Sequence, residues 1–175
     1  MNRPRLKFAD GARLALVAGV VALVCGCTST VRTSPDSVKL EPAAVSHLPA
    51  RNVTLVNGHA SETQLRFSSP PYTLIVEPKH MTDTAIEMLR RALPPGGKGA
   101  AKRVVLRVHS PRQAGPYPTP GITITVDADY GDGTRSQVFG QGHSARGADR
   151  SFEAALLNGL NRLLGDARFV AYMKR

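Results

Sequence analysis

Ile122, Ile124, Val126, Ala128 and Tyr130 alternate with Thr123, Thr125, Asp127 and Asp129. Successive side chains of a strand point to opposite faces, so this run predicts a strand with one face buried and the other in water. Gly131-Asp132-Gly133-Thr134 turns it back into Gln137-Val138-Phe139, which makes a hairpin. A sheet with one apolar face needs a cover, and two amphipathic stretches supply helices. In the first, Ala85, Ile86, Leu89 and Leu93 form a stripe opposite Glu87, Arg90 and Arg91. Thr82 is its expected N-cap, Asp83 lies in its first turn, and Met81 with Ile86 has the spacing of a hydrophobic staple. Pro94-Pro95-Gly96-Gly97 stops it. In the second, Phe152, Ala155, Leu156, Gly159, Leu160 and Leu163 share a face. Asp149 or Ser151 can cap this helix and Gly165 can end it at a C′-like position. Asp166 to Met173 then predicts a short final helix that returns Phe169, Val170 and Tyr172 to the core.

Further strands precede these. Val53 to Val56 is a short one followed by the turn signal Asn57-Gly58, with Thr63 to Phe67 as its expected return strand. Tyr72 to Val76 is bounded by Pro70-Pro71 and Pro78, and Val104, Leu106 and Val108 mark the inner face of another strand. Pro111 to Pro120 is too rich in proline for regular structure and reads as a loop. The pattern predicts an α+β fold: a small, mostly antiparallel sheet with two main helices packed on one face.

The start of the chain is of a different kind. Arg3, Arg5, Lys7 and Arg13 precede Leu14 to Val24, an unbroken apolar run of 11 residues that ends at Cys25-Gly26-Cys27. A spanning helix needs about 20 apolar residues, so the run is too short, and a basic start before a short apolar stretch and a small residue describes an export signal. The end of this segment resembles a bacterial lipobox, with Val24 at −3, Cys25 at −2, Gly26 at −1 and Cys27 as acceptor. Cys at −2 is unusual, and Cys25 is itself a poor acceptor because Val24 would sit at −1. The resemblance implies cleavage between Gly26 and Cys27, with a diacylglycerol thioether on the Cys27 sulfur and a palmitoyl group on its amine. Three chains anchor durably, where one gives only marginal binding. The aspartate that would retain such a protein in the inner membrane is replaced by Thr28, which favours the outer membrane with the domain facing the periplasm.

The expected organisation is therefore a signal peptide over residues 1–26, an acylated N-terminus and flexible tether over 27–50, and a periplasmic domain over 51–175. The tether reading rests on Ser34-Pro35, Glu41-Pro42 and Leu48-Pro49 with little apolar periodicity between them. Some twenty flexible residues would reach roughly 25 Å. After cleavage 149 of the 175 residues remain, enough for one modest core. They hold one cysteine, already committed to lipid, so an internal disulfide, a zinc–thiolate site and a cysteine nucleophile are excluded. Loss of Arg3, Arg5, Lys7, Arg13 and Asp10 takes the formal charge from +10 to about +7. Such a surface suits anionic headgroups, glycolipids or acidic partners. It is not expected to meet nucleic acid, given the compartment and only 5 Phe, 4 Tyr and no Trp for stacking on bases.

From about Val53 to Met173 the chain is similar to the YajG family of small lipoproteins, whose fold resembles the N-terminal domain of TolB. The likeness rests on order: lipobox and proline-rich segment, a strand ending in Asn57-Gly58, the helix with Leu89 and Leu93, the strand Val104 to Val108, the alternating strand from Ile122 to the turn Gly131-Asp132-Gly133, and the closing helix with Leu160 and Leu163-Leu164 before Asp166. The proline-rich 111–120 segment and the Pro94 to Gly97 linker depart from that pattern. The resemblance implies an envelope lipoprotein with a binding or structural role, and it carries over no catalytic residue and no cofactor.

Other motifs fail on chemistry. Asp127 to Gly133 invites a calcium-loop reading, but Gly131 stands where an oxygen ligand is needed, Asp132 where Gly is needed, and Val138 where Glu is needed. Gly142-His143-Ser144-Ala145-Arg146 lacks the last glycine of a hydrolase elbow. Gly96-Gly97-Lys98-Gly99 follows a helix, unlike a P-loop. His47, His59, His80, His109 and His143 have no metal-ligand spacing and read as solvated surface residues. The expected function is thus non-enzymatic, without cofactor or metal: an outer-membrane lipoprotein bound to the membrane through Cys27, with an envelope protein or an anionic glycolipid as partner. The alternative is an auxiliary lipoprotein of an envelope system that transports lipid or lipopolysaccharide.

Overall fold

The computed structural model describes residues 27–37, 39–69, 72–97, 100–114 and 121–175. Strand β6 (Gly121–Tyr130) carries the alternation, with Ile122, Ile124, Val126, Ala128 and Tyr130 buried on one face. It pairs antiparallel with β7 (Arg135–His143) and with β5 (Lys102–Ala114). The β6–β7 turn closes by Gly133 N donating to Tyr130 O at 3.0 Å, and Gly133 takes a φ of 82° that favours glycine. Strand β5 runs beyond the expected Val108. Its register shifts between His109 and Arg112, Ser110 adopts a φ of 49°, and Arg112 to Ala114 resume the ladder beyond Pro111. The expected loop therefore begins as strand, because a bulge is where a proline is tolerated in a ladder; residues 115–120 lie outside the described residues. Strand β2 (Val53–Asn57) completes this four-stranded sheet by pairing parallel with β5, in the order β2-β5-β6-β7.

The expected single sheet is in fact two. Strands β1 (Cys27–Thr30), β3 (Leu65–Ser69) and β4 (Tyr72–Val76) form a second sheet in the order β1-β4-β3, with β1 parallel to β4 and β3 antiparallel to it. Asn57-Gly58 is consequently not a hairpin turn back to β3. Gly58 N donates to Leu106 O at 2.8 Å, which prolongs the parallel ladder. The Asn57 amide donates to Lys79 O at 3.0 Å and to Asp83 Oδ1 at 2.7 Å, while its oxygen accepts from His59 N. The side chain thus ties the strand end to the next helix instead of folding the strand back on itself.

Among the described residues there are four helices: α1 (Pro42–Val45), α2 (Pro78–Ala92), α3 (Ala148–Leu164) and α4 (Ala167–Lys174). Helix α2 starts four residues before the expected cap, with Pro78 in its first turn, where a missing N–H costs nothing. Thr82 is fully buried inside it; its hydroxyl donates to Pro78 O at 2.9 Å and accepts from Val108 N at 2.8 Å. It serves as a helix-to-strand clasp. Helix α3 begins after Gly147, whose φ is 107°, and Ser151 is buried within it, accepting from Ser144 N. Gly165 follows with an ordinary right-handed φ of −88°, so the left-handed ending expected there is absent. Asp166 caps α4 by accepting from Arg168 N and Phe169 N.

Helices α2 and α3 both lie on the apolar face of the four-stranded sheet, as the sequence predicts. Met81, Ala85 and Leu89 of α2 and Phe152, Leu156, Leu160 and Leu163 of α3 join Val104, Leu106, Ile124 and Val126 in one core, which also takes in Leu74 and Val76 of β4. Helix α3 approaches β7 closely, since a Cβ on Gly140 would sit 2.1 Å from Ala155 O and one on Gly142 would sit 2.1 Å from Ser151 O.

At the sheet's end Tyr130 stacks on Tyr172, with ring centroids 4.9 Å apart. Its hydroxyl is buried with no hydrogen-bond partner among the described residues, and burial pushes its pKa up to about 12 from 10.0. Removing an unsatisfied buried hydroxyl relieves desolvation, so Tyr130→Phe should stabilise the protein by about 1 kcal/mol near neutral pH. The folded state also holds this proton more tightly than the unfolded chain. Stability is then fully present below pH 10 and is lost as pH rises towards 12. The advantage of the Phe variant in urea denaturation should accordingly widen between pH 8 and pH 11; an equal advantage at both would contradict this account.

Candidate functional site

Gly26 and the rest of the expected signal lie outside the described residues. Cys27, the expected lipid-bearing residue, is the first residue of β1, in register with Tyr72 of β4. From there the chain does not hang free, which corrects the flexible tether expected for 27–50. Val31 is 1% exposed and its N–H donates to Ile75 O at 2.8 Å. The Thr33 and Thr84 hydroxyls meet at 3.1 Å, and Ser37 Oγ donates to Glu153 Oε1 at 2.6 Å. Asp36 pairs with Arg91 at 2.5 Å, and Arg32 with Glu77 at 3.0 Å. Leu40 and Leu48 enter the core on either side of α1. Residues 31–37 and 39–48 therefore form a strap across α2 and α3. Three apolar residues spaced eight or nine apart give no helical or strand period, which is why the segment reads as a linker.

The strap and α2 enclose a half-open groove of about 430 Å³, lined by Leu40, Pro42, Val45, Met88 and Ala92, with Lys39, Asp36 and Arg91 among its polar members. Arg91 is held between Asp36 and Glu87, and the hydrogen bonds from Arg91 and Arg90 keep the Glu87 carboxyl below its ordinary pKa. Lys39 has no ion-pair or hydrogen-bond partner among the described residues.

A second concavity, of about 450 Å³, lies between the β6–β7 turn and α4, with Arg135, Arg168 and Arg175 around it. Arg175 pairs with Asp132 at 2.8 Å, and the Thr134 hydroxyl and N–H hold the Asp132 carboxyl below its ordinary pKa. Three guanidinium groups against two carboxylates, Asp132 and the Asp129 that lies 3.4 Å from Arg135, leave this cleft cationic. Small residues on α4, Ala167 and Ala171, leave room between them.

The face of the four-stranded sheet away from the helices is a lattice of cross-strand pairs. Asp129 accepts from Arg107 at 2.5 Å and lies 3.4 Å from Arg135, and Asp127 accepts from Gln137 at 2.9 Å and from His109 Nε2 at 2.7 Å. A carboxylate only accepts, so His109 carries a proton on Nε2 and its Nδ1 takes the Ser110 hydroxyl at 2.8 Å. The aspartates of the calcium-loop motif are thus engaged by donors on neighbouring strands, while Asp132 belongs to the turn. No group of three metal-ligating side chains is assembled among the described residues.

His47 is exposed as expected, whereas His59 and His80 are half-buried. Each sets Nε2 against a main-chain carbonyl, of Leu164, Val108 and Thr33 respectively, at 3.1 to 3.3 Å. Two of these contacts secure the strap. Ser144 of the elbow-like motif accepts from Arg146 N in a local turn, and Gly142 faces α3. Lys98 and Gly99 lie outside the described residues. Sequence reading missed the strap, Lys39 and the arginine cleft. The glycine pair in β7 did carry a legible signal, because glycine in a strand marks close approach of another backbone.

No helix among the described residues is long and apolar enough to cross a membrane. No protein-family model matches the chain, and no curated protein matches it in sequence. Among solved structures, the crystal structure of protein XCC0632 from Xanthomonas campestris, of family DUF330, is similar over 85% of this chain and 95% of that one, with 13% identity and a TM-score of 0.48.

The packed strap has a measurable consequence. Leu48 is 5% exposed, and truncating a buried leucine costs about 2 kcal/mol or more. Leu48→Ala should therefore lower the unfolding free energy of the whole domain by that amount in urea denaturation, whereas a free tether would leave it unchanged.

Proposed function

We propose that this chain is a lipid-anchored lipoprotein of the YajG type, held to the outer membrane by acyl chains on Cys27, with a non-catalytic periplasmic domain. The observation that carries this reading is the segment Arg3 to Cys27: a basic start, an apolar run too short to span, and Val24-Cys25-Gly26-Cys27 at its end. The order of elements after it agrees with the YajG resemblance from β2 to the closing helices. The domain acts by contact, through an envelope protein or an anionic glycolipid, and needs no cofactor.

A second reading, an auxiliary lipoprotein of an envelope lipid or lipopolysaccharide transport system, is favoured by the arginine cleft of Arg135, Arg168 and Arg175. Under that reading, crosslinking in intact cells should repeatedly recover a transporter component, and Arg168→Glu should reduce the recovery; failure to recover one at all would remove it. The anchor has its own test. Cells supplied with radiolabelled palmitate should label the wild-type protein and leave a Cys27→Ala variant unlabelled and unprocessed. Label retained by that variant would sink the anchored reading.

A further inference from the structure

The groove between the strap and α2 has a composition that the fold does not require. Its walls are aliphatic side chains and a thioether, contributed by Leu40, Pro42, Val45, Met88 and Ala92. A core would close such a surface, yet here about 430 Å³ stays half open, within the range of small-molecule sites. Met88 brings a flexible, polarisable wall that adapts to an irregular occupant.

The charges around the groove are unequal in their freedom. Asp36 and Glu87 both bind Arg91, and Glu87 also binds Arg90, so the two carboxylates are neutralised by their own neighbours. Lys39 is exposed and has no partner among the described residues. An apolar trough with one uncompensated ammonium matches a molecule with a long apolar body and an anionic end. A peptide would be a poorer match, because its main-chain donors and acceptors would lose water against five apolar side chains.

We propose that this groove takes one acyl chain of an anionic amphiphile, a fatty acid or an anionic phospholipid, with Lys39 meeting its head group. The wall that completes the groove is the strap, whose first groove-lining residue, Pro35, lies eight residues after Cys27. For its supply of ligand the inference rests on the lipid-anchored reading, which puts the strap at a bilayer; the site itself does not depend on it.

The full chain, isolated from membranes and reconstituted in phosphatidylcholine vesicles, would be photolysed with one of two probes: palmitic acid, or phosphatidylglycerol, each with a photoactivatable group in its chain. Peptide mapping should find adducts enriched on Val45 and Met88. Enrichment with the first probe alone assigns the site to a free fatty acid, and enrichment with the second assigns it to a phospholipid chain. Ala92→Trp, which fills the groove, should abolish these adducts. Lys39→Glu should lower the yield severalfold for either anionic probe and leave unchanged the yield from photoactivatable hexadecanol. Should Ala92→Trp also lower the melting temperature, the Lys39→Glu comparison decides alone.

Adducts spread without enrichment over the exposed surface would overturn the proposal, as would equal sensitivity of anionic and neutral probes to Lys39→Glu. The same measurement on Cys27→Ala separates this site from the anchor. Adducts retained there support the groove whatever becomes of the anchored reading. Adducts that appear only in that variant would give the groove to the protein's own acyl chain and overturn the proposal.

Discussion

Helix α3 lies backbone against backbone on strand β7, and the rest of the molecule is arranged around that contact. Two strand residues, Gly140 and Gly142, face the helix, and each would drive a Cβ to 2.1 Å from a helix carbonyl if it had one. Gly159 on the helix completes the seam, with its Cβ position 3.0 Å from Val126 and 3.3 Å from Gly140. Because no side chain stands between them, the helix drops low enough for Phe152, Leu156, Leu160 and Leu163 to reach across β7 onto the apolar residues of β6. A larger residue in the seam would lift the helix and open the core along its whole length.

The strap inherits this placement. Asp149 accepts from Arg32 N, Glu153 from Ser37, and the Leu164 carbonyl faces His47, so three successive stretches of α3 hold three successive stretches of the strap. Helix α2 supplies the other rail through Thr84, His80 and Arg91. The segment keeps its course with only the short helix α1 as regular structure, because its apolar residues Val31, Leu40 and Leu48 are buried singly and several of its polar groups are paired between them. Net hydrogen bonds contribute about 1 kcal/mol each, which is small alone and sufficient when several act on a segment already pinned by Val31, Leu40 and Leu48.

This explains which parts of the fold the sequence discloses. The half-buried strand from Ile122, the stripe from Ala85 to Leu89 and the apolar face of α3 are periodic, and all three stand where their periods put them. The short strand Tyr72–Val76 stands as read, bounded by prolines. What a period cannot convey is which strands pair. Val53–Asn57 and Lys102–Ala114 meet in parallel across 44 intervening residues, and the local signal at Asn57-Gly58 points instead to a hairpin. Thr82 has the composition of a helix cap and serves as a clasp, because Pro78 starts the helix a turn earlier and leaves the threonine facing Val108. Of the candidate-site residues, the sequence singles out Cys27, which the structure places at the start of β1. Lys39 and the arginines of the cleft are single charges whose surroundings are set by distant segments, so no local pattern marks them.

The strap also changes what an anchor at Cys27 can do. A flexible tether would let the domain wander some tens of ångströms from the bilayer and present any face to it. With β1 starting at Cys27 and paired to β4 from its first residue, a cysteine acylated as proposed would have no slack behind it, and the domain would sit against the membrane in a restricted set of orientations. Under that proposal, surfaces near the strap would work at the lipid boundary, while those on α4 and the open sheet face would be left to whatever meets the protein from the aqueous side. The groove beside Lys39 and the cleft beside Arg168 differ in just this sense. One is apolar beside Lys39, which has no partner among the described residues, and suits a chain drawn from lipid; the other carries three arginines and suits a charged partner approaching through water.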